Sequence, residues 1–422
     1  MPQETLQDSS SIAQAAPAMG CPVDHAALSA YPMPRECPFD PPPALREMRS
    51  GRPLAKVRLW NGQDVWLATR YDDVRAILSD PRVSADSRHE GFPGQSPGMA
   101  LMRKQYRTFM SMDPPEHGQY RRMLTAEFTV KRIEGWRPRM QQIVDQQIDA
   151  ILAKGPPSEL IEDLVLALPT LMICDLLGIP YEDQEFFQTR AAIIASSRTS
   201  ASEAMAVSKE LCDGYIGDLI DRKNVEPKDD LLSRLVVAQY QTGKISRQDL
   251  ISMSRLLLVA GHETSANTMG MGILAFLQHP EQLKALQDDP SLLNNAVEEV
   301  LRYVDVAHSG RRRTALEDIE IAGETIRAGE GIIAHNPSAN RDVLMFSDAD
   351  TFDIRRNTSG HVAFGFGVHQ CLGQPMARAE LQTVFGTLFR RIPDVRLAVP
   401  FSELKFKDDM FVYGVETLPV TW

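Results

Sequence analysis

The chain has 422 residues, 43% of them apolar, and a formal net charge of −11. That length supports a substantial buried core, and that acidity argues against nucleic-acid binding through the surface as a whole. No apolar run reaches 18 residues and no charged-then-apolar leader opens the chain, so the expectation is a cytoplasmic protein with no membrane association.

Residues 1–43, rich in Ser, Ala, Gln and Pro and closing on PPP, read as a largely flexible tail, which leaves 44–422 as one domain. LAKVRLW and QDVWLAT then flank Asn61-Gly62, a strong short-range hairpin signal. RYDDVRAIL predicts a short helix stopped by Asp80-Pro81, and residues 84–111, with their Gly, Pro and Ser, predict a long loop. From about 117 to 300 helical periodicity dominates, broken at GPPSE, GIPYED, NVEPKDD and YQTGKIS. Ser246 followed by Asp249 resembles a capping box and opens a long apolar helix that stops near His279-Pro280, buried at the centre of the molecule. Beyond 302 come strand and loop, then FGFGVHQCLG at 364–373, a helix, and a terminal β region. The fold expected is mainly α with a smaller β-rich region.

Four short stretches carry chemistry. The five cysteines are scattered without a C-x-x-C pair, so thiol chemistry rests on one residue. In FGFGVHQCLG, Gln370 stands where a dinucleotide-binding loop needs its third glycine. Cys371 is either inert packing or a thiolate favoured by the start of the following helix. Backbone amides near Leu372 and Gly373 can donate to its sulfur, and the glycines let the loop approach a flat cofactor. In AGHETS, Ala266 stands where a zinc site would need a second histidine. Glu263 and Thr264 are then one polar turn facing solvent, with Thr264 bonding back to a carbonyl, or a proton-handling pair beside the space that Gly261 leaves. Glu299 and Arg302, spaced i,i+3, alone mean an ordinary ion pair, and His117 and Arg121, spaced i,i+4, share a helical face that could hold one anionic group.

In this order the four stretches resemble the cytochromes P-450, haem-thiolate monooxygenases, of the soluble actinobacterial type. Phe364, Gly367, Cys371 and Gly373 match the family's F-x-x-G-x-x-x-C-x-G loop, and Ala260, Gly261, Glu263 and Thr264 match A/G-G-x-D/E-T. Glu299 and Arg302 match E-x-x-R, and Phe352 and Arg356 look like the segment whose arginine completes that network. The resemblance implies a long central helix over haem b and the cysteine loop beneath it. It makes Cys371 the metal ligand and sets Phe364, Gly367 and Gly373 around the cofactor. His117, Arg121, Arg313 and His369 fall at positions that hold haem propionates. Gly261, Glu263 and Thr264 fall where O2 binds and protons arrive.

The implied reaction is hydroxylation of a bulky lipophilic small molecule (polyketide, macrolide, sterol-like compound or xenobiotic) with electrons from NAD(P)H through a ferredoxin reductase and ferredoxin. Pocket segments would come from 84–111, 170–205, Leu257–Thr264, 304–310 and the turn at Met410-Phe411-Val412. The rivals are a P-450-type nitric oxide reductase using NADH directly, whose helix lacks the acid before the threonine, and a non-catalytic haem sensor. Residues 101–140 hold nine Lys or Arg against four acids, a local charge of +5 that suits a docking patch for an acidic ferredoxin. A monomer is expected.

Overall fold

The computed structural model describes residues 28–422. The Asn61-Gly62 signal yields a hairpin: β1 (Leu54–Arg58) pairs antiparallel with β2 (Asp64–Ala68), Val57 opposite Val65. Its loop is longer than a two-residue turn, closed where the Leu59 N–H donates to Gln63 O. Three more strands, β3 (Val83–Ser84), β4 (Arg311–Ala315) and β5 (Gly331–Ala334), complete a sheet ordered β1-β2-β5-β4-β3. Because side chains alternate along a strand, β4 sends Arg311 and Arg313 to one face and Arg312 to the other.

The short helix expected from RYDDVRAIL, α1 (Tyr71–Ser79), ends before Pro81 as its sequence requires. The stretch 84–111 is not one loop, because it contains α2 (Pro97–Gln105). Ser-Pro-Gly, which reads as a turn, is here a helix start: Ser96 Oγ accepts from the Met99 N–H at 3.2 Å and Pro97 takes the first turn. Then come α3 (Glu116–Thr125), α4 (Arg137–Lys154) and α5 (Ala167–Leu177).

At the centre runs α6 (Arg247–Gln278), 32 residues long, with the Ser246–Asp249 capping box formed and His279 closing it before Pro280. It is apolar almost all round, so it must be wrapped. α5, α7 (Leu293–Val304) and α8 (Gln374–Arg391) wrap it, sharing one hydrophobic cluster that includes Met172, Met269, Phe276, Val300 and Phe385. The sheet closes over smaller clusters of its own, around Trp66 and Ile332 and around Val57 and Ile333. The fold is thus mainly helical with a minor β layer.

Of the stretch read as tail, residues 1–27 lie outside the described residues. Residues 28–43 pack on the body: Tyr31 and Phe39 are buried, the Tyr31 N–H donates to Arg58 O, and Asp40 meets buried Arg341 at 2.9 Å. No helix among the described residues is long and apolar enough to cross a membrane.

Candidate active site

The cysteine loop is shaped by its glycines and closed on itself. Gly365 and Gly367 take φ of +74° and +73°, and a Cβ on Gly367 would lie 2.4 Å from Leu78 O on α1. Only glycine serves there. The Cys371 N–H donates to Phe364 O at 2.8 Å. α8 begins at Gln374 with Gly373 as its N-cap, and the sulfur accepts from the amides of Gly373 and Gln374, one residue further on than the pair read from sequence. Burial raises the Cys371 pKa, against the pull of these two amides and of Arg311 and Arg121. The Cys371 side chain is exposed although protein packs densely around it, so it faces a concavity.

Four basic side chains meet beside this loop. His117 and Arg121 come from α3, Arg313 from β4 and His369 from the loop itself. The His117 and His369 rings lie 4.2 Å apart, and buried His117 Nε2 has no hydrogen-bond partner. Arg313 is buried and spends Nη1 on Arg312 O at 2.8 Å. Burial, then the charges of Arg313, His117 and Arg121, push His369 down to about 3. One acid, Asp113, acts on both His117 and Arg313, and it is held by Ser84 Oγ at 2.5 Å and the Ala85 N–H at 2.9 Å. A surplus of donors around an orphaned buried imidazole fits the carboxylate edge of a flat cofactor, with a thiol placed to reach its metal.

Above, α6 is buried along most of its length, but Ala260 and Gly261 are exposed in the middle of it. This strip also faces a concavity. Thr264 Oγ1 donates to Ala260 O at 2.6 Å, and Thr268 Oγ1 donates to Thr264 O at 2.8 Å. The hydroxyl hydrogen of Thr264 is thus engaged in the helix, and its lone pairs are left to accept. Glu263 is buried; desolvation pushes it up to about 7, partly offset by Lys407. His262 turns elsewhere: its Nε2 lies 3.3 Å from Gln188 Nε2, and burial lowers it to about 4.

Glu299 and Arg302 form a fully buried pair with two contacts of 2.7 Å. Arg356 joins through Glu299 Oε1 at 3.3 Å, as the resemblance implies. Sequence reasoning missed a parallel clamp next to it. Glu298 accepts from Arg378 Nε at 2.6 Å and pairs with His361 Nε2 at 2.9 Å. Burial would raise the Glu298 carboxyl, but these two bonds outweigh it and hold it at about 2. Also missed were Lys407, whose Nζ donates to Asn267 Oδ1 at 2.9 Å, and Glu380, buried on α8 against Ser265. These partners are far apart in sequence and leave no local signal.

The basic stretch 101–140 is thinner than its composition. Arg103 and Arg121 turn inward, while Arg107, Arg132, Arg137 and Arg139 pair with Asp86, Glu127, Glu134 and Asp175. Lys104, Arg122 and Lys131 remain exposed. A surface recess between α4 and α8, lined by Arg137, Gln141, Gln382 and Arg390, shares no residue with the site above.

A model of the family described as Cytochrome P450 matches residues 200–393. "Cytochrome P450-SU2" of Streptomyces griseolus is 46% identical over 386 residues, 92% of this chain and 94% of its own. The 20-oxo-5-O-mycaminosyltylactone 23-monooxygenase of Streptomyces fradiae is 42% identical over 93% of this chain and 92% of its own. The crystal structure of the mycinamicin VIII C21 methyl hydroxylase MycCI from Micromonospora griseorubida, bound to mycinamicin VIII, is similar with a TM-score of 0.87 at 39% identity, covering 94% of this chain and 100% of that one. Nothing among these relatives supports a nitric oxide reductase or a sensor. Identity at this level along almost the whole of each chain, on the same fold, shows that this chain belongs to the cytochrome P450 family and is a haem-thiolate monooxygenase.

Proposed function

We propose that the body begun at 44, with residues 28–43 packed on it, acts as one catalytic domain that hydroxylates a bulky lipophilic molecule of the polyketide, macrolide, sterol-like or xenobiotic kind. The observation that carries this reading is the convergence of a helix-capped thiol, Cys371, with His117, Arg121, Arg313 and His369. When bound, the haem supplies activation of O2 and transfer of one oxygen atom to carbon. Cys371 is its iron ligand. His117, Arg121, Arg313 and His369 hold its carboxylates, and Phe364, Gly367 and Gly373 shape the loop beneath.

On the other side, Gly261 leaves room where a side chain would stand. Thr264, with its hydrogen engaged by Ala260 O, accepts a hydrogen bond and orients water. Glu263, poised at about 7, passes protons inward. The names of the relatives support the substrate class, since one acts on a tylactone and another on mycinamicin VIII. Electrons come from NAD(P)H through a ferredoxin reductase and a ferredoxin that docks near Arg122 and Lys131. The protein works as a cytoplasmic monomer.

Carbon monoxide added to the reduced protein tests the ligand: a strongly red-shifted Soret band is expected and should vanish in Cys371→His. The proton role is read from product formed per NADH consumed. Thr264→Ala should keep consuming NADH and release hydrogen peroxide in place of product. Equal coupling in wild type and Thr264→Ala would remove the pair from the proton route.

A further inference from the structure

Three guanidinium groups turn inward on the α2 side of the molecule with no carboxylate among the described residues to meet them. Arg103, in the last turn of α2, donates from Nη2 to Gln95 Oε1 at 2.6 Å and lies 5.7 Å over the Phe92 ring. Gln95 in turn donates to Ser309 Oγ at 3.3 Å. The charges that act on Arg103 are Arg312, Arg255 and Arg313, all of its own sign. Arg312 is 7% exposed, and its Nε and Nη1 are buried without a hydrogen-bond partner. Arg255, on α6, is 6% exposed, with Nη1 3.5 Å from Met102 Sδ and Nε unpartnered. Its charge neighbours are Cys212 and Tyr106, both kept neutral by burial.

A guanidinium stays charged in a protein, and an unpaired buried charge is costly. Arg103 lies within reach of the charge of both others, and the unpartnered nitrogens of Arg312 and Arg255 are donors free to take an anion. The haem carboxylates are one source of negative charge, but Arg312 lies on the opposite face of β4 from Arg313, which belongs to that site. Arg103 is partly exposed and stands within 84–111, and through Gln95 it is linked to Ser309 in 304–310. Both are segments expected to line the substrate pocket.

We propose that Arg103, Arg312 and Arg255 recognise a carboxylate on an otherwise lipophilic substrate, so that this enzyme prefers organic monoanions to neutral molecules of the same shape. A carboxylate takes two parallel bonds from one guanidinium and can bridge to a second. Gln95 and Ser309 position Arg103 for this. The proposal rests on the monooxygenase reading above and narrows its substrate class.

Two pairs of probes test it: 1-adamantanecarboxylate and dodecanoate, each against its primary amide. Dissociation constants are measured on the haem-loaded protein by the ligand-induced Soret shift and separately by calorimetry. Each acid should bind at least tenfold more tightly than its amide. Arg103→Gln and Arg312→Gln should each reduce that ratio severalfold while haem content stays that of the wild type. No tighter binding of either acid than its amide in the wild type overturns the proposal, and that comparison needs no variant. An unchanged ratio in both variants also overturns it. Loss of haem in the variants with the ratio intact assigns the cluster to the haem carboxylates instead, and overturns it too. Failure here leaves the carbon monoxide band and oxygen-dependent turnover untouched, whereas failure of the monooxygenase reading removes both.

Discussion

Glu299→Ala strikes the most enclosed ion pair among the described residues. Glu299 and Arg302 are each 0% exposed. The carboxylate accepts four bonds: Arg302 Nε and Nη2 at 2.7 Å, the Asp353 N–H at 2.9 Å and Arg356 Nε at 3.3 Å. Its removal strands Arg302 in a site that water does not reach. Arg302 Nη1 keeps Asn340 O and Ala349 O, but those carbonyls carry no full charge. Breaking a buried pair from one side costs about 3–5 kcal/mol. The Asp353 amide, left short of an acceptor, adds about 1–3 kcal/mol. Against a total stability of about 5–15 kcal/mol, the variant is expected to lose most of its folded population at growth temperature. Urea unfolding followed by circular dichroism, with haem content measured on the same samples, reads the effect. Asp288→Ala, which breaks the exposed Lys284–Asp288 pair, is the control and should leave the midpoint nearly unchanged. A Glu299→Ala midpoint within the error of that control, with full haem content, would refute the burial reasoning.

Other outcomes follow from the same geometry. Gly367→Ala should give folded protein with little bound haem, because a Cβ there collides with Leu78 O at a positive φ; wild-type haem content in that variant counts against the loop assignment. Glu380 is raised by burial to about 8 in the fold, despite the Ser265 bond, against about 4.3 unfolded. Its stabilising contribution is therefore complete below about pH 4.3 and is lost as pH rises to 8, so Glu380→Gln should flatten the fall in unfolding free energy over that window, as followed by urea midpoints. Arg122→Glu and Lys131→Glu should each raise the ferredoxin concentration needed for half-maximal turnover, with peroxide-supported turnover as the reference that does not move.

The tight glycine loop before Cys371 and the bond from Thr264 back to Ala260 O were legible because their determinants are local. Gly367 and Cys371 stand four residues apart, and the spacing alone carries the loop. α6 was legible for a different reason, since a capping box at one end and His279-Pro280 at the other bracket an apolar run. What the sequence hid was partnership across distance. Glu263 shares its surroundings with Lys407, and Glu380 with Ser265, yet neither pair has a fixed offset. The surface charge of the basic stretch is smaller than its composition for the same reason: Arg107 and Arg139 are neutralised by Asp86 and Asp175, which lie outside 101–140. α2 was hidden by chemistry that serves two ends, because Ser-Pro-Gly starts helices and turns alike.

The neighbouring carboxylates of Glu298 and Glu299, midway along α7, divide two tasks between them. Glu299 fixes the chain at Asp353 and Arg356, while Glu298 grips His361 before the cysteine loop and Arg378 after it. The loop is therefore tied at both flanks by a residue that never touches the sulfur. Its conformational entropy is surrendered during folding, not at the moment of cofactor capture. A preorganised loop binds more tightly for the same contacts, since less ordering remains to be done. A haem held by Cys371 would thus owe part of its affinity to α7, more than sixty residues upstream, and loss of the Glu298 clamp would weaken retention of the cofactor while leaving the chemistry of the thiolate as it was.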